Sequence, residues 1–134
     1  MADTDSQKVT TIAGEPMIRT LPRPADANAS GDIFGGWVLS EMDIAGAIPA
    51  IKRAAGRVAT VAIDAMVFHA PIFVGDIVSV YAEVAKVGRT SLSVSIETIA
   101  QRRGSGEIVR VTEATFVYVA LDDAGKPRPV PAAK

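Results

Sequence analysis

The chain contains no cysteine and only one histidine, His69, among its 134 residues. Without cysteine it cannot form a disulfide, use a thiolate nucleophile or bind a metal through a cysteine thiolate. The charges nearly balance, because 14 basic and 15 acidic residues give a net charge of −1. We therefore expect no general attraction to nucleic acid.

Long apolar runs are also missing. The longest, residues 44–51, is far too short to span a bilayer. The first ten residues, MADTDSQKVT, are polar and lack the apolar centre of a signal peptide. A lack of cysteine is compatible with a reducing compartment, and we expect a cytoplasmic protein without a membrane partner.

Several common catalytic motifs do not occur. The sequence has no G-x-S-x-G elbow, no G-x-x-x-x-G-K-[ST] phosphate loop and no H-E-x-x-H pair. His69 follows a predicted strand, so we interpret it as a strand-end residue. Gly104 to Gly106 lie between two predicted strands and predict a hairpin turn instead of a dinucleotide site.

The composition, 49% hydrophobic and 22% charged, is typical of a globular protein. A chain of 134 residues is long enough for one core but not for two. Residues 1–15 are polar with little periodicity, so we expect a loose N-terminal arm followed by a single domain over residues 16–134.

The hydrophobic period predicts one helix followed by strands. Residues 36–55, rich in Ala and Gly, predict a helix that is apolar around most of its circumference, with a kink or early irregularity at Pro49. After residue 57 the period becomes two, which predicts strands at 58–68, 77–87, 91–102 and 107–121, besides a short one at 17–21. The short separators favour antiparallel hairpins, which gives an α+β fold of one helix against five or more strands. Exposed sheet edges would favour at least a homodimer.

The segment NASGDIFGGWVLSEMD, residues 28–43, is the best candidate for a site. At about 100° per residue, Asp43 points away from Glu41 and Lys52 and therefore inward, with no helical cation beside it. Such a carboxylate suits proton transfer, although an inward aspartate also often caps backbone or pairs with a base brought in by the fold. Gly35 and Gly36 precede the helix, where unsatisfied N–H groups could hold an oxyanion.

This segment, together with GRVATVAIDAMVF, APIFVGD, KVGRTS, TEATFVYVALDDAGKPR and PVP, resembles the hotdog-fold acyl-CoA thioesterases, most closely the bacterial YciA-like group. The resemblance spans roughly residues 18–131. It implies a long central helix wrapped by a curved antiparallel sheet of five or six strands, with active sites shared across a homodimer and often a hexamer built as a trimer of dimers. The implied reaction converts acyl-CoA and water to a free fatty acid and CoA, without a metal or redox cofactor.

The resemblance also implies site residues. Asn28, Gly35, Gly36 and Asp43 match the family's Asn, its Gly-Gly and its helix acid, whereas the usual His before the glycines is Phe34. Asp43 of one subunit would act with Asn28 of the other, as general base or as nucleophile, while the Gly36 amide polarises the thioester carbonyl. The substitution at Phe34 disfavours histidine-dependent hydratase chemistry.

Coenzyme A needs local cations and backbone donors for its phosphates. The predicted turn after the second long strand matches the loop that holds the nucleotide end in the family, and its candidate residues are Lys86, Gly88, Arg89, Thr90 and Ser91. Arg57, Lys126 and Arg128 are weaker candidates, and Thr60 is expected near the thioester.

Two alternatives stay open at this point. The first is a non-catalytic hotdog module that binds acyl-CoA, which would have no need of an inward carboxylate. The second is an acyl-thioester dehydratase of the same fold. That reaction normally needs a histidine, so finding His69 within hydrogen-bond reach of Asp43 would favour it.

Overall fold

The structure is a computed structural model that describes residues 14–133. Residues 1–13 of the predicted arm lie outside the described residues. Within the described range, no helix has the length and apolarity needed to cross a membrane.

One long helix packs against one antiparallel sheet. The strands are β1 (Ile18–Thr20), β2 (Val58–Phe68), β3 (Ile77–Val87), β4 (Ser91–Gln101) and β5 (Ile108–Ala120), and the helix α1 is Gly35–Ala54. A single 3-10 turn, Pro24–Asp26, lies between β1 and α1. The strand order is β1-β3-β4-β5-β2, and every pairing is antiparallel. The predicted α+β architecture is confirmed, with five strands.

Small residues let the helix lie directly on the sheet. Ala45, Gly46, Ala50 and Ala54 are all buried on the face of α1 that meets the strands. A side chain at Gly46 would have its Cβ 2.5 Å from Ile96 Cδ1 and in collision with the Tyr118 hydroxyl. Close packing at this point therefore requires glycine, because real Cβ atoms do not approach other atoms so closely.

The helix continues through Pro49 to Ala54 without a break, and the kink expected at Pro49 stays a prediction. Proline removes one hydrogen bond, but Ala50 and Ala54 beyond it are held in the core. The helix ends at Ala55, which is left-handed (φ 55°), and Arg128 Nη2 donates to the carbonyl oxygen of Ala54 at 2.8 Å. Packing and this cap keep the last turn helical.

Among the described residues, the strand β2 forms an open edge of the sheet, because it pairs with β5 and with no second strand. It exposes Val61 (58%), Ile63, Val67 and Phe68. The helix adds Ile44 (54% exposed), Ile48 and Ile51, spaced four and three residues apart along one face. We call these seven residues the apolar strip. The helix, predicted to be wrapped on several sides, is thus left uncovered on this face by a single chain.

Replacing Gly46 by alanine tests the close approach of helix and sheet. We expect Gly46→Ala to lower the free energy of unfolding by about 1–3 kcal/mol, because the added methyl overpacks the contact with Tyr118 and Ile96. Urea denaturation at one fixed protein concentration measures it. Gly36→Ala is the matched control, since nothing lies within 4 Å of that position and alanine favours helix there by roughly 0.5–1 kcal/mol. Equal or greater stability of Gly46→Ala would contradict the packing described.

Candidate active site

The carboxylate of Asp43 is held by two hydroxyl groups. Thr60 Oγ1 on β2 donates to Asp43 Oδ1 at 2.5 Å, and the Tyr118 hydroxyl on β5 donates to the same oxygen at 3.1 Å. The Tyr118 hydroxyl also lies 2.8 Å from the main-chain oxygen of Asp43. Within residues 14–133, no donor reaches Oδ2 and no cation pairs with Asp43. One oxygen of the half-buried carboxylate is therefore fixed and the other is free to react.

Tyr118 was missed by the sequence reasoning. Its side chain is 1% exposed, and burial, followed by the negative charge of Asp43, raises the pKa of its hydroxyl. It therefore stays protonated and acts as a donor at neutral pH. The alternation in β5 places Tyr118 on the inward face beside Phe116, but only the packing across Gly46 brings its hydroxyl to Asp43.

The start of α1 offers the predicted backbone donors. The amides of Gly35 and Gly36 have no hydrogen-bond acceptor among the described residues, whereas the Trp37 amide donates to the Phe34 carbonyl at 3.1 Å. Nothing lies within 4 Å of a Cβ built at Gly36, so a ligand atom has room beside it. This is the arrangement expected of an oxyanion site.

Within one chain, the Asp43 carboxylate and the Gly36 amide are too far apart to act on the same thioester carbonyl. Seven residues separate them, which places them on nearly the same face of the helix but about 10 Å apart along its axis. The Gly36 N–H, like every helical N–H, points toward the helix start and so away from Asp43. One chain alone does not bring the carboxylate and the oxyanion donor together.

Asn28 is exposed in the loop before α1, and its side chain shapes that loop. Its Oδ1 accepts the backbone amides of Ser30 at 2.9 Å and Asp32 at 3.2 Å, which is an Asx turn. Only its NH₂ group is left to contact a ligand. No hydrogen bond joins Asn28 to Asp43 within the chain.

The turn from Lys86 to Ser91 joins β3 to β4, and its two cations, Lys86 and Arg89, are exposed. The Gly88 amide donates to the Ser91 carbonyl at 2.8 Å, and a Cβ at Gly88 would lie 2.8 Å from Ser91 Oγ. The carbonyl oxygens of Arg89 and Thr90 accept amides from Val130 and Ala120. The turn is thus anchored to the end of β5 and to the C-terminal tail.

Arg57 and Arg128 lie at the same end of β5 but differ in availability. The carbonyl oxygen of Arg57 accepts the Leu121 amide, and the residue itself is exposed. Arg128 instead donates to the carbonyl oxygens of Leu121 and Ala54. We therefore interpret Arg128 as a structural cap, and Lys126 stays exposed beside it.

His69 lies away from the carboxylate. Its Nε2 is 3.0 Å from Glu113 Oε1, and no hydrogen bond connects it to Asp43. The contact between His69 and Asp43 that would have favoured a dehydratase is therefore absent. Among residues 14–133, no group of three His, Asp or Glu side chains is arranged to hold a metal ion.

Glu41 is half-buried, although the helical projection put it on the solvent side with Lys52. Burial, and then the charge of Asp26 in the preceding loop, raises the pKa of its carboxyl group. The projection failed here because the loop before the helix folds back over this face.

Comparison with known proteins supports a common origin for this arrangement. Residues 30–107 match the family model of the thioesterase superfamily. The acyl-CoA thioester hydrolase YciA of Salmonella typhimurium is 52% identical over 124 residues, which is 90% of this chain and 93% of that protein.

Solved structures give the same result for the fold. The hexameric thioesterase y2039 from Yersinia pestis superposes with a TM-score of 0.86 at 51% identity, covering 91% of this chain and 100% of that one. Cj0915, a hexameric hotdog fold thioesterase of Campylobacter jejuni, gives a TM-score of 0.83 at 44% identity, covering 88% of this chain and 91% of that one. The fold described above is therefore the hotdog fold.

The buried position of Glu41 predicts a pH dependence of stability. When the pKa of an acidic group is higher in the folded state, the folded state binds more protons than the unfolded state. The free energy of unfolding therefore falls as the pH rises above the group's ordinary pKa. We expect Glu41→Gln to gain stability over the parent protein between about pH 4 and about pH 7. Denaturant midpoints across that range measure it. A difference that stays constant or shrinks as pH rises would contradict the assignment.

Proposed function

This chain belongs to the thioesterase superfamily, and we propose that it hydrolyses acyl-CoA thioesters to a free carboxylic acid and coenzyme A. The observation that carries the proposal is the Asp43 carboxylate, whose Oδ1 is fixed by Thr60 and Tyr118 while Oδ2 is free. A module that only bound acyl-CoA would have no use for a carboxylate held in this way.

The proposed reaction uses Oδ2 of Asp43 in one of two ways. As general base it removes a proton from water, whose oxygen attacks the thioester carbonyl carbon. As nucleophile it attacks that carbon itself and forms an anhydride that water then opens. In both cases the carbonyl oxygen becomes an oxyanion, which the amides of Gly36 and Gly35 would stabilise. Breaking the C–S bond releases the CoA thiolate.

The cations near the end of β5 are suited to the phosphates of coenzyme A. Lys86, Arg89 and Arg57 are exposed, and backbone hydrogen bonds join the loop after β3 to Ala120 at the end of β5 and Arg57 to the adjacent Leu121. We propose that Lys86, Gly88, Arg89, Thr90 and Ser91, with Arg57, hold the nucleotide end. Thr60, first assigned to substrate contact, is assigned here to holding Asp43.

A second copy of the chain is proposed to complete each site. The long unpaired edge of β2 and the apolar strip on β2 and α1 are a liability that pairing of two copies would remove. The separation of about 10 Å between Gly36 and Asp43 supports sites in which Asp43 of one subunit acts with Asn28 and Gly36 of the other. Since two similar proteins are described as hexameric, we propose a trimer of such dimers.

Other expectations remain predictions. The proposed chemistry needs no metal or redox cofactor, because the carboxylate, water and backbone amides supply every proton and charge that changes. A cytoplasmic location also remains a prediction from the sequence. A dehydratase stays the less favoured alternative, since His69 pairs with Glu113 and not with Asp43.

Release of thiol from a panel of acyl-CoAs of increasing chain length tests the proposal. Because the chain has no cysteine, the protein contributes no thiol background. We expect the parent protein to release CoA, and Asp43→Asn to lose at least about a hundredfold in kcat, since the amide neither accepts the proton nor attacks. Folding and assembly are checked in both proteins by circular dichroism and sedimentation.

Asp123→Asn is the matched control, since Asp123 is exposed in the tail and takes no part in the proposed site. It should keep full activity. If acyl-CoA binds to the parent protein and to the variants but none of them releases thiol, the proposed hydrolase activity is contradicted. The non-catalytic acyl-CoA-binding module would then be the remaining function.

A further inference from the structure

We infer that Tyr118 is a positioning residue of this site, which together with Thr60 holds Oδ1 of Asp43 so that Oδ2 faces the substrate. The inference rests on the proposed function, which it extends to a residue on β5 that makes no contact with the substrate in this scheme. Tyr118 acts through Asp43, and its hydroxyl also lies within side-chain hydrogen-bond reach of Thr60.

The geometry gives Tyr118 two acceptors for its single hydroxyl proton. They are Asp43 Oδ1 at 3.1 Å and the main-chain oxygen of the same residue at 2.8 Å. While Asp43 is ionised, the proton is donated to the carboxylate. Once Asp43 has taken a proton from water, the hydroxyl turns to the main-chain oxygen without movement of a heavy atom. The buried hydroxyl is therefore satisfied at both stages of the reaction.

Packing fixes this donor more firmly than the other one. Tyr118 is 1% exposed, whereas Thr60 lies on the exposed edge strand β2. The helix can approach the Tyr118 hydroxyl only because Gly46, one turn beyond Asp43, has no side chain. Gly46 and Tyr118 together therefore determine the orientation of the Asp43 carboxylate.

Asp43 forms no salt bridge with any group among residues 14–133. From β2 the neighbour is the uncharged Thr60, and from β5 it is Tyr118. On α1 itself, Glu41 lies toward Asp26 on another face. Removal of the Tyr118 hydroxyl leaves Thr60 as the remaining hydroxyl donor to Asp43.

The test measures pH–rate profiles of the parent protein and of Tyr118→Phe. A donor to a carboxylate stabilises the ionised form, so its removal should move the acid limb of kcat/KM up by about one pH unit. We expect kcat to fall roughly tenfold or more, with KM changed less than about threefold, because binding of CoA is untouched. Phe116→Leu is the matched control, since Phe116 is the neighbouring inward residue of β5 and is equally buried. It should lose stability and leave the acid limb in place.

A folded Tyr118→Phe protein with an unmoved acid limb would overturn the inference, and so would an equal shift in Phe116→Leu. A second measurement separates this failure from failure of the proposed function. Infrared spectra of the unliganded protein across pH, with the Asp43→Asn spectrum subtracted, follow protonation of Asp43 without any substrate. An upward shift in Tyr118→Phe supports the inference even if no thioester is hydrolysed, and no shift overturns it even if hydrolysis occurs.

Discussion

The hydrogen bonds that Thr60 and Tyr118 donate to Asp43 connect the helix to two neighbouring strands at one point. They depend on the close approach of α1 to the sheet, which Gly46 permits. They also determine what the site can do, because they restrain one oxygen of the carboxylate and leave the other available. A preorganised group of this kind loses little freedom when the substrate arrives.

The second constraint is the apolar surface that a single chain leaves exposed on β2 and α1. Among the described residues, β2 is a strand of 11 residues with one strand partner. The same strand carries Thr60, which bonds Asp43, and the helix that carries Asp43 exposes three isoleucines. That surface is useful in a dimer, where it can exclude water and line a space for an acyl chain. It is a hazard in a monomer. In the proposed dimer, assembly and catalysis would therefore depend on the same face.

Much of this arrangement could be predicted from the sequence, since local patterns determine it. Alternating apolar and polar residues bounded by turn residues predicted the observed limits of β2 and β3. Helical spacing predicted that Asp43 faces away from the solvent side of α1. The errors concern contacts between distant segments. Helical projection placed Glu41 on the solvent side, whereas it is half-buried and close enough to Asp26 to respond to its charge. Tyr118 was missed because its role depends on which strand crosses the helix at Gly46, and no local pattern specifies that crossing.

The central claim is that each site combines Asp43 of one subunit with Asn28 of another, and mixing two inactive variants tests it most directly. Asn28→Asp keeps the side-chain oxygen that accepts the amides of Ser30 and Asp32 but loses the NH₂ donor. Co-expression with Asp43→Asn under two different tags, followed by tandem purification, isolates mixed assemblies. If the residues act across subunits, each mixed dimer has one intact site, and a random mixture should recover roughly a quarter of the parent activity. Mixed assemblies that stay as inactive as either variant alone would contradict the account.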